Sequence, residues 1–116
     1  MILPDFIDHC LAKKGVEETT PFGPDVLVYK VCGKVFALTA PDEVPSRVNL
    51  KCDPDRALEL RDEYEAIIPG YHMNKKHWNT VYLDETVPSE LVRELTDHSY
   101  ELVVKSLKKS DREKLS

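Results

Sequence analysis

Apolar residues recur at the spacing of an α-helix near the start of the chain. Phe6, Ile7, Cys10 and Leu11 form one apolar stripe, and Gly15 follows as a residue suited to the left-handed end of a helix. This pattern predicts a first helix that ends at Gly15. It also predicts that Cys10 is largely buried, because a free cysteine packs as a small hydrophobe.

The pattern then changes to the alternation that is typical of β-strands. Residues 26–31 and 35–39 are predicted to be two strands joined by a tight turn at Gly33, since glycine tolerates a positive φ. Residues 47–51 alternate in the same way, with apolar side chains on one face and polar ones on the other. Three successive strands of this kind predict an antiparallel meander with one face open to water.

A second helix is predicted after Asp53, an N-cap residue followed by Pro54 at the first helical position. The sequence Pro69-Gly70 ends it, because proline and glycine favour a turn there. Its expected buried stripe consists of Ala57, Leu60, Tyr64 and Ile67 or Ile68. The helix is expected to pack this stripe on the sheet.

The remaining segments are a last helix and two stretches without a period. The last helix is predicted to run from Pro88 or Ser89 to Leu107. Residues 16–24 are expected to be a connector from which Phe22 inserts into the core, and residues 108–116 a frayed basic turn. The predicted order is α-β-β-β-α-β(β)-α, an α+β fold with helices packed on an antiparallel sheet in a single domain over residues 1–116.

Composition narrows the class of protein. The chain has 116 residues, 41% hydrophobic and 32% charged, as an ordinary globular domain does. No apolar run is long enough to span a membrane and no signal peptide precedes the first helix, so no membrane partner is expected. The cysteines, Cys10, Cys32 and Cys52, lie far apart and are predicted to be free thiols in a cytoplasmic protein.

No residue pattern indicates a catalytic or metal site. The cysteines lack a neighbouring base, and the acids look like solvated helix faces. His72 and His77 lie five residues apart across a loop, a spacing that matches no zinc motif. There is no glycine-rich phosphate loop either. We therefore expect a protein that is not an enzyme and that carries neither a cofactor nor a metal.

The segment from Tyr71 to Leu83 is the most distinctive in the chain. It contains the only tryptophan, Trp78, and the adjacent pair Lys75 and Lys76, without any acid before Asp84. Its second half alternates like a strand, with Trp78 on one face and Asn79 on the other.

This loop and strand suggest contact with nucleic acid. Lysines bind phosphate, asparagine can bind a base edge or the backbone, and tryptophan can stack on a base. The candidate contacts are Asn74, Lys75, Lys76, His77, Trp78 and Asn79, with Arg47 and Lys51 on the polar face of a neighbouring strand. Because the net charge is −5, such binding depends on a local basic patch. In the alternative interpretation, Trp78 anchors the sheet, Asn74 stabilises a turn and the lysines are merely solvated.

The chain resembles the MmcQ/YjbR-like family, whose members are often described as DNA-binding. The resemblance rests on the sequence around Asn74-Lys75-Lys76-His77-Trp78, on Asp97-His98-Ser99-Tyr100 and on the segments 15–23 and 31–37. It implies an α+β fold similar to CyaY/frataxin or secretion-chaperone domains. It also implies DNA binding in a double-wing manner, in which loops flanking the sheet contact the nucleic acid.

A second class of function stays open. Tyr100, Val104 and Leu107 fall outside the inner stripe of the last helix, so they would form a second apolar face for a homodimer or a protein partner. A sheet face could also serve a small ligand. A basic patch continuous with Trp78 favours nucleic acid, whereas a closed pocket or a self-complementary apolar surface favours the alternative.

Overall fold

The computed structural model describes residues 1–70 and 73–115. This part of the chain contains four helices and a six-stranded sheet. The helices are α1 (Leu3–Leu11), α2 (Pro54–Glu63), α3 (Ser89–Ser106) and α4 (Lys109–Lys114). The strands are β1 (Val16–Thr19), β2 (Leu27–Val31), β3 (Lys34–Thr39), β4 (Arg47–Lys51), β5 (Ile67–Pro69) and β6 (Trp78–Tyr82).

The strands form one sheet in the order β1-β2-β3-β4-β6-β5, and each neighbouring pair is antiparallel. The α+β class and the antiparallel meander are therefore confirmed. Strand β1, in the segment predicted to be a connector, was missed. It lies at the sheet edge with Glu17 and Glu18 exposed, so its sequence lacks the apolar alternation of an inner strand.

The predicted second helix was too long. Helix α2 begins as expected, with the Asp53 carboxylate accepting the Arg56 N–H (3.3 Å), but it ends at Glu63. Ile67 and Ile68 instead belong to β5, where they pair with β6. Two consecutive β-branched residues fit a pleated surface well, and pairing along β6 overrides the helical spacing.

The segments at the two ends of the chain also differ from expectation. Helix α1 ends at Leu11, earlier than predicted, although Gly15 does adopt a positive φ of 75°. The basic tail forms the short helix α4 rather than a frayed turn. It brings Leu115 against Gly15, where a Cβ would lie only 2.6 Å from Leu115 Cδ2. The positive φ favours glycine at position 15, and a Cβ there would require the flexible Leu115 side chain to move.

The main core lies between the sheet and helices α1, α2 and α3. Val48 and Leu50 of β4 point into it, as their alternation predicted. Cys10 is fully buried, which confirms the prediction, and burial raises the pKa of its thiol to about 12. None of the described helices is long and apolar enough to cross a bilayer.

Two sets of residues have the opposite exposure to solvent from the one that the sequence predicted. Phe22, predicted to enter the core, is 70% exposed. Conversely, the proposed second apolar face of the last helix is covered by the protein itself. Leu107 is buried, Val104 packs against the core, and the Tyr100 ring meets Phe36 edge to face at 5.4 Å. Phe36 of β3 is one of the covering side chains, a contact that the helical period alone does not reveal.

Four consecutive side chains of α3 bond to four different parts of the fold; they are Asp97, His98, Ser99 and Tyr100. The Asp97 carboxylate accepts hydrogen bonds from His9 Nε2 (2.7 Å) and from Lys13, which joins α3 to α1. The Tyr100 hydroxyl donates to the Lys14 carbonyl (2.6 Å) just beyond that helix. This part of α3 therefore sets the position of α1.

Ser99 bridges two backbone groups where the sheet ladder is interrupted. β3 carries a bulge at Phe36, and its pairing with β4 stops at Ala37 opposite Leu50. The next pair in that register would be Phe36 and Lys51. Instead, the buried Ser99 hydroxyl donates to the Phe36 carbonyl (2.5 Å) and accepts the Lys51 N–H (2.9 Å). It thus satisfies backbone groups that a bulge leaves unpaired.

We expect Ser99→Ala to lower the free energy of unfolding by about 1–3 kcal/mol, because buried backbone groups lose their partner. The measurement is the urea midpoint at unchanged m-value. Ser106→Ala is the control: it removes a hydroxyl from the exposed end of the same helix, where water can replace its bonds to the Val103 carbonyl (2.6 Å) and to Lys34 (3.5 Å), and should change stability by less than about 0.5 kcal/mol. Equal effects of the two substitutions would contradict the bridging role of Ser99.

His98 joins α3 to the start of α2. Its Nε2 accepts the backbone N–H of Asp53 (3.2 Å), which requires an unprotonated nitrogen. Partial burial and the nearby charge of Arg56 lower the pKa of His98, and they outweigh the opposite influence of Asp53, Glu94 and Glu101. The folded protein therefore holds this imidazole neutral to lower pH than the unfolded chain does.

The pH dependence of stability follows from this lowered pKa. Above the usual histidine pKa of about 6.5 the contribution of His98 is complete, and it is lost as the pH falls through the lower pKa of the folded state. Wild type should thus lose stability from about pH 7 to pH 5, and His98→Gln should lose less over that range. Chemical denaturation at several pH values measures both. Identical slopes would exclude this contribution.

Candidate nucleic-acid interface

The sheet has a second face, opposite the helices, which we call the open face. Because Val48 and Leu50 point toward the helices, the alternating residues Arg47, Asn49 and Lys51 of β4 lie on the open face. Their partners on β6 are Tyr82, Thr80 and Trp78, in that order. The predicted alternation of β6 is therefore correct, with Trp78, Thr80 and Tyr82 together on one side.

The register decides which candidate residues meet. Lys51 is the direct cross-strand partner of Trp78, so a cation and the only tryptophan are neighbours on the open face. Arg47 lies at the other end of β4, beside Tyr82. Its guanidinium is 3.4 Å from the Glu43 carboxylate. The basic residues of β4 thus lie at opposite ends of the strand, separated by Asn49.

The loop before β6 is shaped by Asn74. Its side-chain oxygen accepts the Lys76 N–H (2.9 Å), and its carbonyl accepts the N–H groups of His77 (3.2 Å) and Trp78 (3.0 Å). An asparagine that bonds to the backbone two residues ahead is a common way to stabilise a turn. Asn74 therefore serves the loop conformation, as the alternative interpretation of this residue expected.

The two lysines project from this turn. Lys75 and Lys76 are exposed, and neither side chain forms an ion pair with any residue in the ranges 1–70 and 73–115. His77 and Trp78 are half-buried. The His77 carbonyl accepts the Cys52 N–H (2.7 Å) and ties the loop to the end of β4. The geometry leaves the lysine ammonium groups available to an anion.

Asn79 does not belong to this surface. It is only 3% exposed and points toward α2, where its Oδ1 accepts Arg61 Nε–H (2.7 Å) and its Nδ2 donates to the Ala57 carbonyl (3.4 Å). The expectation that Asn79 contacts nucleic acid thus conflicts with its position. Alternation already placed it opposite Trp78, so its inward orientation follows from the strand period.

Arg61 supports the loop before β6, although it was not among the residues that the sequence indicated. Besides Asn79, its guanidinium donates to the carbonyls of Lys75 and Trp78 (3.3 Å for the latter). One side chain thus holds both ends of the basic turn. The available signal was its place four residues after the buried Ala57, which puts both on one side of α2.

Gly70 permits the close approach of the strand that follows. Its N–H donates to the Trp78 carbonyl (2.8 Å), and a Cβ at this position would lie 2.7 Å from Trp78 Cβ. Only glycine fits here without a shift of Trp78. His72, weighed above as a metal ligand together with His77, lies outside the residues that the structure describes, as does Tyr71 at the start of the distinctive segment.

The open face also contains a cavity of about 350 Å³ that sequence reasoning did not foresee. Phe22 and Met73 line it from two different loops, and Leu38, Arg47 and Asn49 line it from the sheet. The unexpected exposure of Phe22 is explained by this position. Within ranges 1–70 and 73–115, the residues that line it are largely apolar and include no acidic side chain.

Other chemistry finds little support in the described ranges. There, no group of three or more histidine, cysteine or acidic side chains is arranged to hold a metal ion. Burial raises the pKa of both the Cys10 and the Cys52 thiols, which therefore stay protonated near neutral pH. The described chain therefore offers neither a grouped metal site nor a reactive form of these two thiols, and the exposed lysines and the cavity lie at the open face.

Comparison with known proteins places this geometry in a family. The YjbR family model matches residues 11–102. The uncharacterized protein YbdF of Escherichia coli O157:H7 is 43% identical over 100 residues, covering 86% of this chain and 82% of that protein. The uncharacterized protein YjbR of Escherichia coli K12 is 33% identical over 115 residues, covering 99% and 98% of the two chains.

Solved structures show the same fold. The crystal structure of Deinococcus radiodurans protein DR2400, described as a DUF419 domain, is similar with a TM-score of 0.91 and 44% identity. The likeness covers 98% of this chain and 87% of that one. A Pseudomonas syringae protein is 29% identical with a TM-score of 0.77, over 88% and 98% of the chains.

The position of Arg61 predicts its effect on the loop. Arg61→Ala should lower the free energy of unfolding by about 1.5–3 kcal/mol, because buried Asn79 loses a charged hydrogen-bond partner. It should also speed amide exchange at residues 75–78. Arg93→Ala is the control, since Arg93 is an exposed arginine without an ion pair in the described chain, and should cost less than about 0.5 kcal/mol. Unchanged exchange in Arg61→Ala would show that Arg61 does not hold the turn.

Proposed function

The chain belongs to the YjbR family, and from the open face of its sheet we propose that it is a non-enzymatic nucleic-acid-binding protein of the cytoplasm. The observation that carries the proposal is the juxtaposition at one end of that face. There the register sets Lys51 beside Trp78, and the turn before Trp78 presents Lys75 and Lys76 to solvent.

These groups suit the backbone of a nucleic acid. Exposed ammonium groups neutralise phosphates and release counterions, a contribution that does not depend on base sequence. The turn is held from beneath by Arg61 and Asn74, so the lysines are presented by an ordered backbone. The binding would therefore be local and salt-dependent, since the chain as a whole is acidic.

His77, Trp78 and Arg47 have supporting roles in this proposal. Trp78 is half-buried beside Lys51 and offers part of its ring for contact with a base. Arg47 is a phosphate contact at the far end of β4, and its ion pair with Glu43 reduces the positive charge that it offers to a phosphate. His77 contributes through its backbone bond to Cys52, which keeps the loop against β4.

The cavity favours a second candidate function. A largely apolar recess of about 350 Å³ lies in the size range of small-molecule sites, roughly 300–1,000 Å³. A ligand-binding domain acting through the sheet face is therefore the alternative. Small-ligand binding becomes the proposed function if the wild-type protein shows no affinity for DNA at low salt.

The lysine pair provides the direct test of the proposed function. Lys75→Ala/Lys76→Ala should weaken binding about equally on all DNA sequences, and it should flatten the slope of log K against log salt by roughly two units on duplex DNA. Fluorescence anisotropy in a salt titration measures both quantities. The expected cost in stability is below about 0.5 kcal/mol, because both side chains are exposed.

The matched control is Lys108→Ala/Lys109→Ala. It removes another exposed, adjacent lysine pair and changes the net charge by the same amount. An effect that is equal in both double variants would indicate diffuse electrostatic attraction instead of a site at the loop. A wild-type dissociation constant no tighter than about millimolar at low salt would refute the proposed function.

A further inference from the structure

We propose that the cavity on the open face receives one unstacked base of a single-stranded nucleic acid, an inference that rests on the proposed function. Its walls, its polar edge and the charges beside it each match a different part of a nucleotide. The bound strand would place its base in the cavity and its phosphates along the lysines at the edge of the sheet.

The walls suit the face of a base. Phe22 and Met73 come from loops on different sides of the open face, and Val26 and Leu38 add apolar surface between them. Aromatic rings stack on bases of any sequence, and the polarizable sulfur of methionine adapts to flat partners. Phe22 is 70% exposed, so its ring is accessible to an incoming group.

The polar edge suits the acceptor atoms of a base. The Asn49 side-chain oxygen accepts the Thr80 hydroxyl, which orients the amide. Its Nδ2 group then remains as a donor, and no partner for it occurs among the residues that the structure describes. Every base carries a ring nitrogen or carbonyl acceptor, so this donor recognises bases as a class.

Positive charge borders the cavity on two sides. Arg47 lines it directly, although its guanidinium is also paired with the Glu43 carboxylate (3.4 Å). Lys51 lies two residues beyond Asn49 on the same face of β4, at roughly 7 Å along the strand. Met73, in the opposite wall, is two residues before Lys75. Since no acid occurs among the described residues that line the cavity, an anionic backbone can pass its rim without meeting a like charge from them.

A duplex cannot use this site. Its bases are stacked and paired, and their faces are inaccessible unless a base is extruded at a cost of a few kcal/mol. The cavity therefore predicts a preference for single strands. A duplex would still contact Lys75 and Lys76 through its phosphates.

The experiment compares single-stranded oligothymidylate with a duplex of equal length, at one salt concentration, for the wild type and Phe22→Ala. Phe22→Ala should weaken single-strand binding by about fivefold to one hundredfold and leave duplex binding unchanged. The salt slope should not change, because no charge is removed. Leu58→Ala, which shortens another exposed apolar side chain away from the cavity, serves as the control and should change neither affinity.

A second measurement separates base capture from anion binding. Trp78 is the only tryptophan and lies diagonally from Asn49 on the open face, so its fluorescence reports occupation of the cavity. Thymidine monophosphate should perturb this emission in wild type, whereas deoxyribose 5-phosphate, which has the phosphate without the base, should not. Phe22→Ala should weaken the response to thymidine monophosphate.

The outcomes distinguish the two proposals. Equal affinity for single strand and duplex, together with no effect of Phe22→Ala, overturns base capture and leaves the proposed function intact. The absence of any binding to either nucleic acid refutes the proposed function, and base capture with it. An equal response to both phosphates also overturns base capture, because the base then contributes nothing.

Discussion

The arrangement of the fold depends on hydrogen bonds from one short segment of α3, residues 97–100. Each of these side chains bonds to a different element: α1, the N-cap of α2, the β3–β4 interruption and the turn after α1. Ser99 is central among them, because it satisfies two backbone groups that the Phe36 bulge leaves without ladder partners. Unpaired backbone groups in a core are costly, so the bulge and the serine require each other.

The contacts of α3 lie on one face of the sheet, and the open face lies on the other side. No described helix covers the open face. Its surface is therefore formed by alternate side chains of β4 and β6 and by the surrounding loops. Arg61 extends from α2 and bonds to Asn79 and to the carbonyls of Lys75 and Trp78 in the basic turn. A residue of the core-side helix α2 thus supports the conformation of the loop that carries Lys75 and Lys76.

Two of the four sequence segments that resemble the family differ in role. Asp97 to Tyr100 make internal contacts that join the elements of this fold. The segment around Trp78 is mixed. Asn74 and Asn79 bond within the protein, whereas Lys75 and Lys76 extend from it. Any shared binding activity at this segment is therefore more sharply tested through the lysines than through the asparagines.

The sequence determined by itself those features that depend on local period and local chemistry. Alternation identified β2, β3, β4 and β6 and the orientation of Trp78 relative to Asn79, and Asp53-Pro54 marked the start of α2. Edge strands were the weak point. β1 lacks an apolar rhythm because its outer residues are exposed, and β5 follows α2 so closely that Ile67 extended the helical stripe.

Only the tertiary structure decided which residues of separate segments meet. The β4–β6 register placed Lys51 against Trp78, Arg61 reached a loop on the far side of its helix, and Phe22 and Met73 enclosed a cavity with Asn49. These contacts join residues far apart in the chain, so no local spacing carries them. They depend on how the elements pack, since burial of the apolar faces fixes the strand register and the helix orientations that bring these residues together.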